Sequence, residues 1–205
     1  MLNTALATIQ DEHRSLAAIV HGLKFVVREI REKKIQADFR LLWAMLYYID
    51  AFPEKLHHPK EDAYLFRKLR QRTREADPIL VELEQQHREG AAYVREMERT
   101  LGHFEAGKAG GFDAFSGAVE TFAETVWNHM NIEERVVLPL ARRVLTDEDW
   151  VEIGRAFGEN GDPRFGLNPD HEFRDLFSRI VNLAPAPIGL GPSESSGNPE
   201  PDGGN

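Results

Sequence analysis

The 205-residue chain contains no cysteine. That excludes disulfides, thiolate zinc sites and iron–sulfur clusters, and it leaves only nitrogen and oxygen ligands for any metal. Long hydrophobic runs are absent as well: no apolar stretch approaches the ~20 residues that span a bilayer. Positive charge is short, with 25 Lys and Arg against 34 Asp and Glu and a net charge of -9. Nothing would offset the repulsion of a phosphate backbone, so no nucleic-acid partner is expected. Met1-Leu2-Asn3-Thr4 carries neither a basic region nor a long apolar stretch. No signal peptide is visible, and the expected location is the cytoplasm. What is present is an ordinary balance of 41% hydrophobic and 29% charged residues, enough for one domain with a core and an appendage.

Helical periodicity dominates residues 1–145. Leu6, Ile9, His13, Leu16, Val20, Leu23, Val27 and Ile30 recur at steps of three and four, the mark of a helix with one buried stripe. A second stripe runs Leu42, Leu46, Ile49, Pro53, His57, Glu61, Leu65, Leu69, and a third Ile79, Leu83, His87, Gly90, Val94, Met97, Leu101. The fourth runs Phe112, Phe115, Val119, Phe122, Val126, His129, Glu133, Val136, Leu140, Val144. Short polar or glycine-bearing breaks near 33–37, 71–77 and 105–111 make consecutive helices antiparallel neighbours, which predicts an all-α, up-down-up-down four-helix bundle over 1–145. Pro53 and Pro59 predict a kink or local bulge in the second helix. Thr146-Asp147-Glu148-Asp149 reads as a helix start. Asn168-Pro169 opens another helix carrying Phe173, Leu176, Phe177 and Ile180, so 146–183 reads as a small cap. Residues 184–205, rich in proline, glycine and serine, read as a disordered tail.

Two copies of one pattern carry the chemistry: His57-His58-Pro59-Lys60-Glu61-Asp62 and His129-Met130-Asn131-Ile132-Glu133-Glu134. A histidine four residues before a glutamate shares its helix face, forming an imidazole–carboxylate claw. His13 and His87 lie on the other two stripes. With helix limits near 32, 38, 104 and 112, His13 and His57 each stand 19 residues from one end of the bundle, and His87 and His129 each 17. At ~1.5 Å per residue the offset is about 3 Å, so His13, His57, Glu61, His87, His129 and Glu133 converge at one depth. No lysine or arginine occupies the stripes there, and two buried glutamates without counter-charge are heavily penalised. A pair of dications removes the penalty, and an N/O donor set suits iron or manganese, less distinctly zinc. If Glu61 and Glu133 bridge two metals, each metal receives two imidazoles and two carboxylate oxygens. His57 then pairs with His13 or His87, and His129 with the other. His58 either turns into the site or sits at its rim; Asp62 and Glu134 either orient imidazoles or lie on a solvated face. His21 and His103 fall off the stripes and read as surface residues, and His171 either covers the site or lies at the surface. Trp43, Tyr47, Tyr48 and Trp127 read as packing.

The ordered set Asp11-Glu12-His13, His57 to Asp62, Gln86-His87 and His129 to Glu134 resembles bacterial hemerythrin-like (HHE cation-binding) domains over about residues 4–145. The resemblance implies a non-haem di-iron centre, oxo- or hydroxo-bridged, with His13, His57, Glu61, His87, His129 and Glu133 as ligands. Two departures stand out. Ala91 occupies the position where oxygen-carrying hemerythrins have a second helix-three histidine, and the helix-four acid is a glutamate four residues after its histidine rather than an aspartate five after. The site therefore looks more open than a reversible O2 carrier, and is similar to hemerythrin-like proteins linked to nitric-oxide and oxidative stress. The expected function is a di-iron protein that binds or reacts with O2, peroxide or nitric oxide. The alternative is an iron, oxygen or redox sensor, or a metal-binding module without turnover, whose cap (146–183) moves with the state of the centre. Its oligomeric state, monomer or homodimer, is not legible in the sequence.

Overall fold

In the computed structural model, residues 2–158, 180 and 182 are described. They form five helical runs and no strand: α1 (Leu2–Arg31), α2 (39–72), α3 (Asp77–Glu105), α4 (111–144) and α5 (Asp147–Gly158). The first four make the antiparallel bundle, each packed on its neighbours in sequence, with α4 closing back onto α1. None of the helices is long and apolar enough to cross a membrane.

Local chemistry sets the ends. The Asp38 carboxylate accepts from Arg40 N–H at 3.0 Å and Leu41 N–H at 3.3 Å, capping α2. Proline sits at the start of α3, where its missing N–H costs nothing. At the α3–α4 turn Gly110 adopts φ +72°, and a Cβ on Gly111 would lie 2.9 Å from the His103 carbonyl, so this turn needs glycine twice. Thr146 and Asp149 cap α5 reciprocally: the Asp149 N–H donates to Thr146 Oγ1 at 3.3 Å, and the Thr146 N–H to Asp149 Oδ2 at 3.1 Å.

The bulge expected near Pro53 is a change of helix type. α2 widens to a π-helix over Asp50–His57 and again over Glu61–Phe66, and α4 does so over Glu133–Val137. His58 N–H donates to the Pro53 carbonyl and Leu138 N–H to the Glu133 carbonyl, each five residues back. The wider turn accommodates the proline ring in α2. In α4 the turn closes at Leu138, just before Pro139, as the first turn of α2 closes at His58, just before Pro59, and it corrects the sequence reading. Val136, placed on the buried stripe, is 48% exposed, and Val137 is buried in its stead, because the π-turn inserts one residue after Glu133.

Two apolar clusters fill the bundle. One takes Leu16 to Val27, Leu41 to Phe52, Val94 to Leu101 and Phe115 to Met130 from the four helices. The other takes Ala5 to Ile9, Leu65 to Leu69, Ala76 to Leu83 and Val137 to Ala141, with Trp150, Ile153 and Phe157 of α5. α5, the first helix of the expected cap, packs chiefly on α1. The second cap helix, with His171, Phe173, Leu176 and Phe177, and the tail from 184 lie outside the described residues. Ile180 is described: it is helical and buried against the first cluster.

Candidate metal centre

On every helix of the bundle the gap between the two apolar clusters is filled by polar residues. α1 supplies Glu12 and His13, α2 supplies His57, His58 and Glu61, α3 supplies Gln86 and His87, and α4 supplies His129 and Glu133. Glu12, His13, His57, His58, Glu61, His129 and Glu133 are all buried, and the His87 side chain is only 4% exposed. The π-turns flank this layer on the two helices that contribute a histidine–glutamate claw.

The histidines meet in two pairs. His13 Nε2 and His57 Nε2 are 3.1 Å apart, and His87 Nε2 and His129 Nε2 are 3.2 Å apart. The pairing left open by the sequence is thus His13 with His57 and His87 with His129. Glu61 lies between the pairs: its Oε1 is 3.2 Å from His57 Nε2 and 3.7 Å from His13 Nε2, and its Oε2 is 3.5 Å from His87 Nε2. Glu133 does the same with one oxygen, Oε2 standing 3.3 Å from both His13 Nε2 and His129 Nε2. None of the four carboxylate oxygens has a hydrogen-bond partner.

Each imidazole is held from behind. His13 Nδ1 lies 2.9 Å from Glu134 Oε1, and His57 Nδ1 2.6 Å from Glu12 Oε2. His87 Nδ1 lies 2.8 Å from Asp62 Oδ1, and His129 Nδ1 2.9 Å from Gln86 Oε1. A carboxylate can only accept, so Nδ1 donates in the first three, and Nε2 of each ring is turned to the interior. Asp62 and Glu134 thereby take the orienting role rather than a solvated one. Glu12 and Gln86 were not assigned this role from sequence. Each directly precedes a histidine of the layer yet supports a histidine on another helix, a relation that residue spacing along one helix does not display.

The electrostatics are those of a charge cluster sealed from water. Burial pushes the His57 imidazole down, but the Glu61 and Glu12 carboxylates outweigh it and raise it to about 10. Burial likewise opposes, and Glu133, Glu134 and Glu61 overcome, in raising His13 well above the ordinary range. His87 is raised by Asp62 and Glu61 against the same burial. Burial and the neighbouring Glu61 push the Glu133 carboxyl up, yet His129 and His13 hold it at about 2; Glu61 is held well below its usual range by His57 and His13 in spite of burial. Such a site takes protons or metal cations to balance its carboxylates, and a metal binds by displacing the protons.

His58 is buried and stacks on His87, with ring centroids 4.4 Å apart and planes within 11°. Burial pushes its pKa down. A cavity of about 20 Å³ lies beside it, lined in part by Tyr93, Phe122 and Val126. On the opposite side Phe157 of α5 meets the His57 ring edge-on at 5.7 Å, and Lys60 Nζ donates to the Ala156 carbonyl at 2.6 Å. Among the described residues, the other histidines and the aromatics singled out in the sequence do not enter the layer through any of the contacts above. His21 is exposed, and half-buried His103 stands 3.4 Å from an Arg99 nitrogen; Tyr47 and Trp127 are exposed, and Trp43 donates to Glu105 at 2.8 Å.

The donor set, buried carboxylates without hydrogen-bond partners facing imidazole nitrogens, suits metal cations. Among the described residues two groups of side chains are close enough to hold an ion, His13–His57–Glu61 and His58–Glu61–His87–His129, and Glu61 is common to both. A four-helix bundle with a histidine–carboxylate layer at mid-height defines a class of metal-binding bundles. Residues 4–141 match the family model of the hemerythrin HHE cation-binding domain, and the chain belongs to that family. Domains of this family bind metal cations, typically iron. No curated protein and no solved structure matches the chain.

Proposed function

We propose that this chain is a non-haem di-iron protein that binds or reacts with a small oxidant, namely O2, peroxide or nitric oxide. The observation that carries the reading is the pair of Nε2–Nε2 contacts at 3.1 and 3.2 Å, spanned by two buried carboxylates whose four oxygens have no hydrogen-bond partner. His13 and His57 would hold one iron and His87 and His129 the other, with Glu61 and Glu133 shared between them. Nitrogen and carboxylate donors favour iron or manganese over metals that prefer sulfur. When bound, such a pair supplies redox-active centres with positions for a diatomic or peroxide ligand.

The chain's own residues do the rest. Glu134, Glu12, Asp62 and Gln86 fix the tautomer and orientation of the four imidazoles, which raises their basicity as ligands. The two apolar clusters exclude water on both sides of the layer, so the carboxylates interact with a bound charge in a medium of low polarity. Metal loading displaces the protons that His13, His57 and His87 otherwise hold.

The test is metal content of anaerobically purified protein beside a His129→Ala, Glu133→Ala variant, followed by an optical spectrum on admitting air. The expected result is about two irons per chain, as in di-iron bundles, lost in the variant, with a spectral change on oxidation. Protein that takes up no iron, or an iron-loaded reduced form that responds to none of the three oxidants, overturns the reading.

A sensing module without turnover is the second reading, and α5 is its basis, since Phe157 touches the His57 ring and Lys60 holds the Ala156 carbonyl. Hydrogen exchange in residues 147–158 that follows metal or oxidant would support it. Exchange indifferent to both would dismiss it.

A further inference from the structure

We propose that His58 is a fifth imidazole ligand, serving the metal at the His87/His129 side and making the two metals of the centre unlike. The inference rests on the dinuclear reading above and concerns a residue outside the six ligands named there.

Four observations carry it. First, a ring nitrogen of His58 lies within 4.8 Å of donor atoms of Glu61, His87 and His129, so the four side chains already surround a common point. Second, the His58 ring is parallel to that of His87 at 4.4 Å and 5.2 Å from that of His129, so the three imidazoles form one cluster. Third, His58 is buried and its Nδ1 has no hydrogen-bond partner, a cost that an ordinary core histidine avoids. Fourth, an acid one turn back on α2 faces the ring nitrogen that, in the other four imidazoles, meets an oxygen acceptor from another helix. The Glu54 carboxylate stands 3.6 Å from His58 Nδ1, with a side chain only 6% exposed. Room for Glu54 is made by Gly90 of α3, where a Cβ would run into that carboxylate. In those four the pattern is Nδ1 toward an oxygen acceptor, a carboxylate in three and the Gln86 amide in one. His58 follows it with Nδ1 still just beyond hydrogen-bond range.

The local backbone explains why two consecutive residues both face inward. On an α-helix His57 and His58 point about 100° apart. The π-turn Asp50–His57, closed by the His58 N–H donating to the Pro53 carbonyl, delivers both to the interior, and both are buried. The His87/His129 side thus has three imidazoles within reach and the His13/His57 side two.

Anaerobic Co(II) titration of the full chain, read by d–d absorption, compares the wild type with His58→Ala and with His58→Gln, which nearly keeps the side-chain volume. Loss of an orienting partner typically costs 10–100-fold in metal affinity, and loss of a ligand costs at least as much. The expected result is two bound ions in the wild type. In both variants one ion weakens at least about tenfold, the other is unchanged, and added imidazole restores affinity and spectrum in His58→Ala. Variants that remain folded by circular dichroism and take both ions with wild-type affinity and spectra overturn the His58 assignment alone. Wild-type protein that takes no Co(II) and no Fe(II) overturns the dinuclear reading itself.

Discussion

The two sides of the histidine layer use the same parts and finish them differently. At the His13/His57 side both Nδ1 atoms meet carboxylates, Glu134 and Glu12, and Phe157 of α5 covers the ring of His57. At the His87/His129 side one Nδ1 meets the Asp62 carboxylate and the other the neutral Gln86 amide. That side has no α5 roof in the ring contacts; His58 stacks there, beside a cavity of about 20 Å³, room for one water-sized molecule. The first side is therefore closed by an added helix, whereas the second is richer in imidazole and adjoins a small void, with the Asp62 and Glu54 carboxylates behind its rings where the first side has Glu134 and Glu12. An internally repeated bundle can give two metals different surroundings by changing the residue next to each ligand while keeping the ligands alike.

The comparison can be broken or sharpened, beginning with one of the two carboxylates that the sides share. Glu61 reaches both, so Glu61→Ala is expected to abolish tight binding of both ions, whereas His129→Ala abolishes only one; elemental analysis of the two purified proteins checks this. Loss of one ion in each would show that Glu61 serves a single side. Next, Phe157→Ala removes a fully buried ring from the second apolar cluster and is expected to destabilise the fold by about 3–5 kcal/mol, read by urea denaturation. The same change should speed ligand exchange at the His13/His57 side and leave the other side alone.

Smaller effects follow from the supporting groups. Glu12→Ala and Gln86→Ala are each expected to weaken one ion, on opposite sides, by about 10–100-fold in metal titrations, with the Glu12 effect the larger because a charged acceptor is lost. Equal effects would mean that charge behind the imidazole does not distinguish the sides. The smallest change is at Asp149, which anchors α5 through Arg72 at 2.8 and 3.1 Å and whose pKa is lowered to about 2, first by Arg72 and then by the Thr146 N–H against burial. Because the folded-state value lies below the unfolded one, its stabilisation is full above about pH 4 and is lost as the pH falls toward about 2. Asp149→Asn should cost about 2 kcal/mol at neutral pH and flatten the acid limb of a stability–pH curve. An unchanged acid limb would rule Asp149 out as its source.

Much of this was legible in the residue order. Helix ends fell at the glycine-bearing and polar breaks because Asp38, Gly110 and Thr146 are capping or turn residues for reasons of local geometry. The level of the site was legible too. The equal distances of His13 and His57 from the bundle end, and of His87 and His129, match the pairs that meet in space. What the order of residues did not display is what depends on helix type and on contacts between helices. The run of four-residue steps from Ile49 to Leu69 was already unlike an α-helix, whose side chains would drift by about 40° at each such step. On α4 a single π-turn displaced the stripe from Val136 to Val137; Pro139 follows it, but a proline beyond the turn does not by itself show where the stripe shifts. Glu12 and Gln86 act on histidines 45 and 43 residues away, and no periodicity within one helix connects them.

Those π-turns also give the bundle a phase. The stretches of α2 and α4 on the two sides of the histidine layer bury faces that a single α-helical period does not join, and the layer is the seam where the phase changes. Deleting one residue within 50–57 would restore a more regular α2 and rotate everything beyond it by about 100°, turning Leu65 and Leu69 away from their cluster unless the other half gave way. A deletion scan along α2 and α4 would therefore find its least tolerant positions around the wide turns. Selection for a smoother and more stable helix at these positions would erase the seam, and with it the meeting of His57, His58 and Glu61 on one interior face.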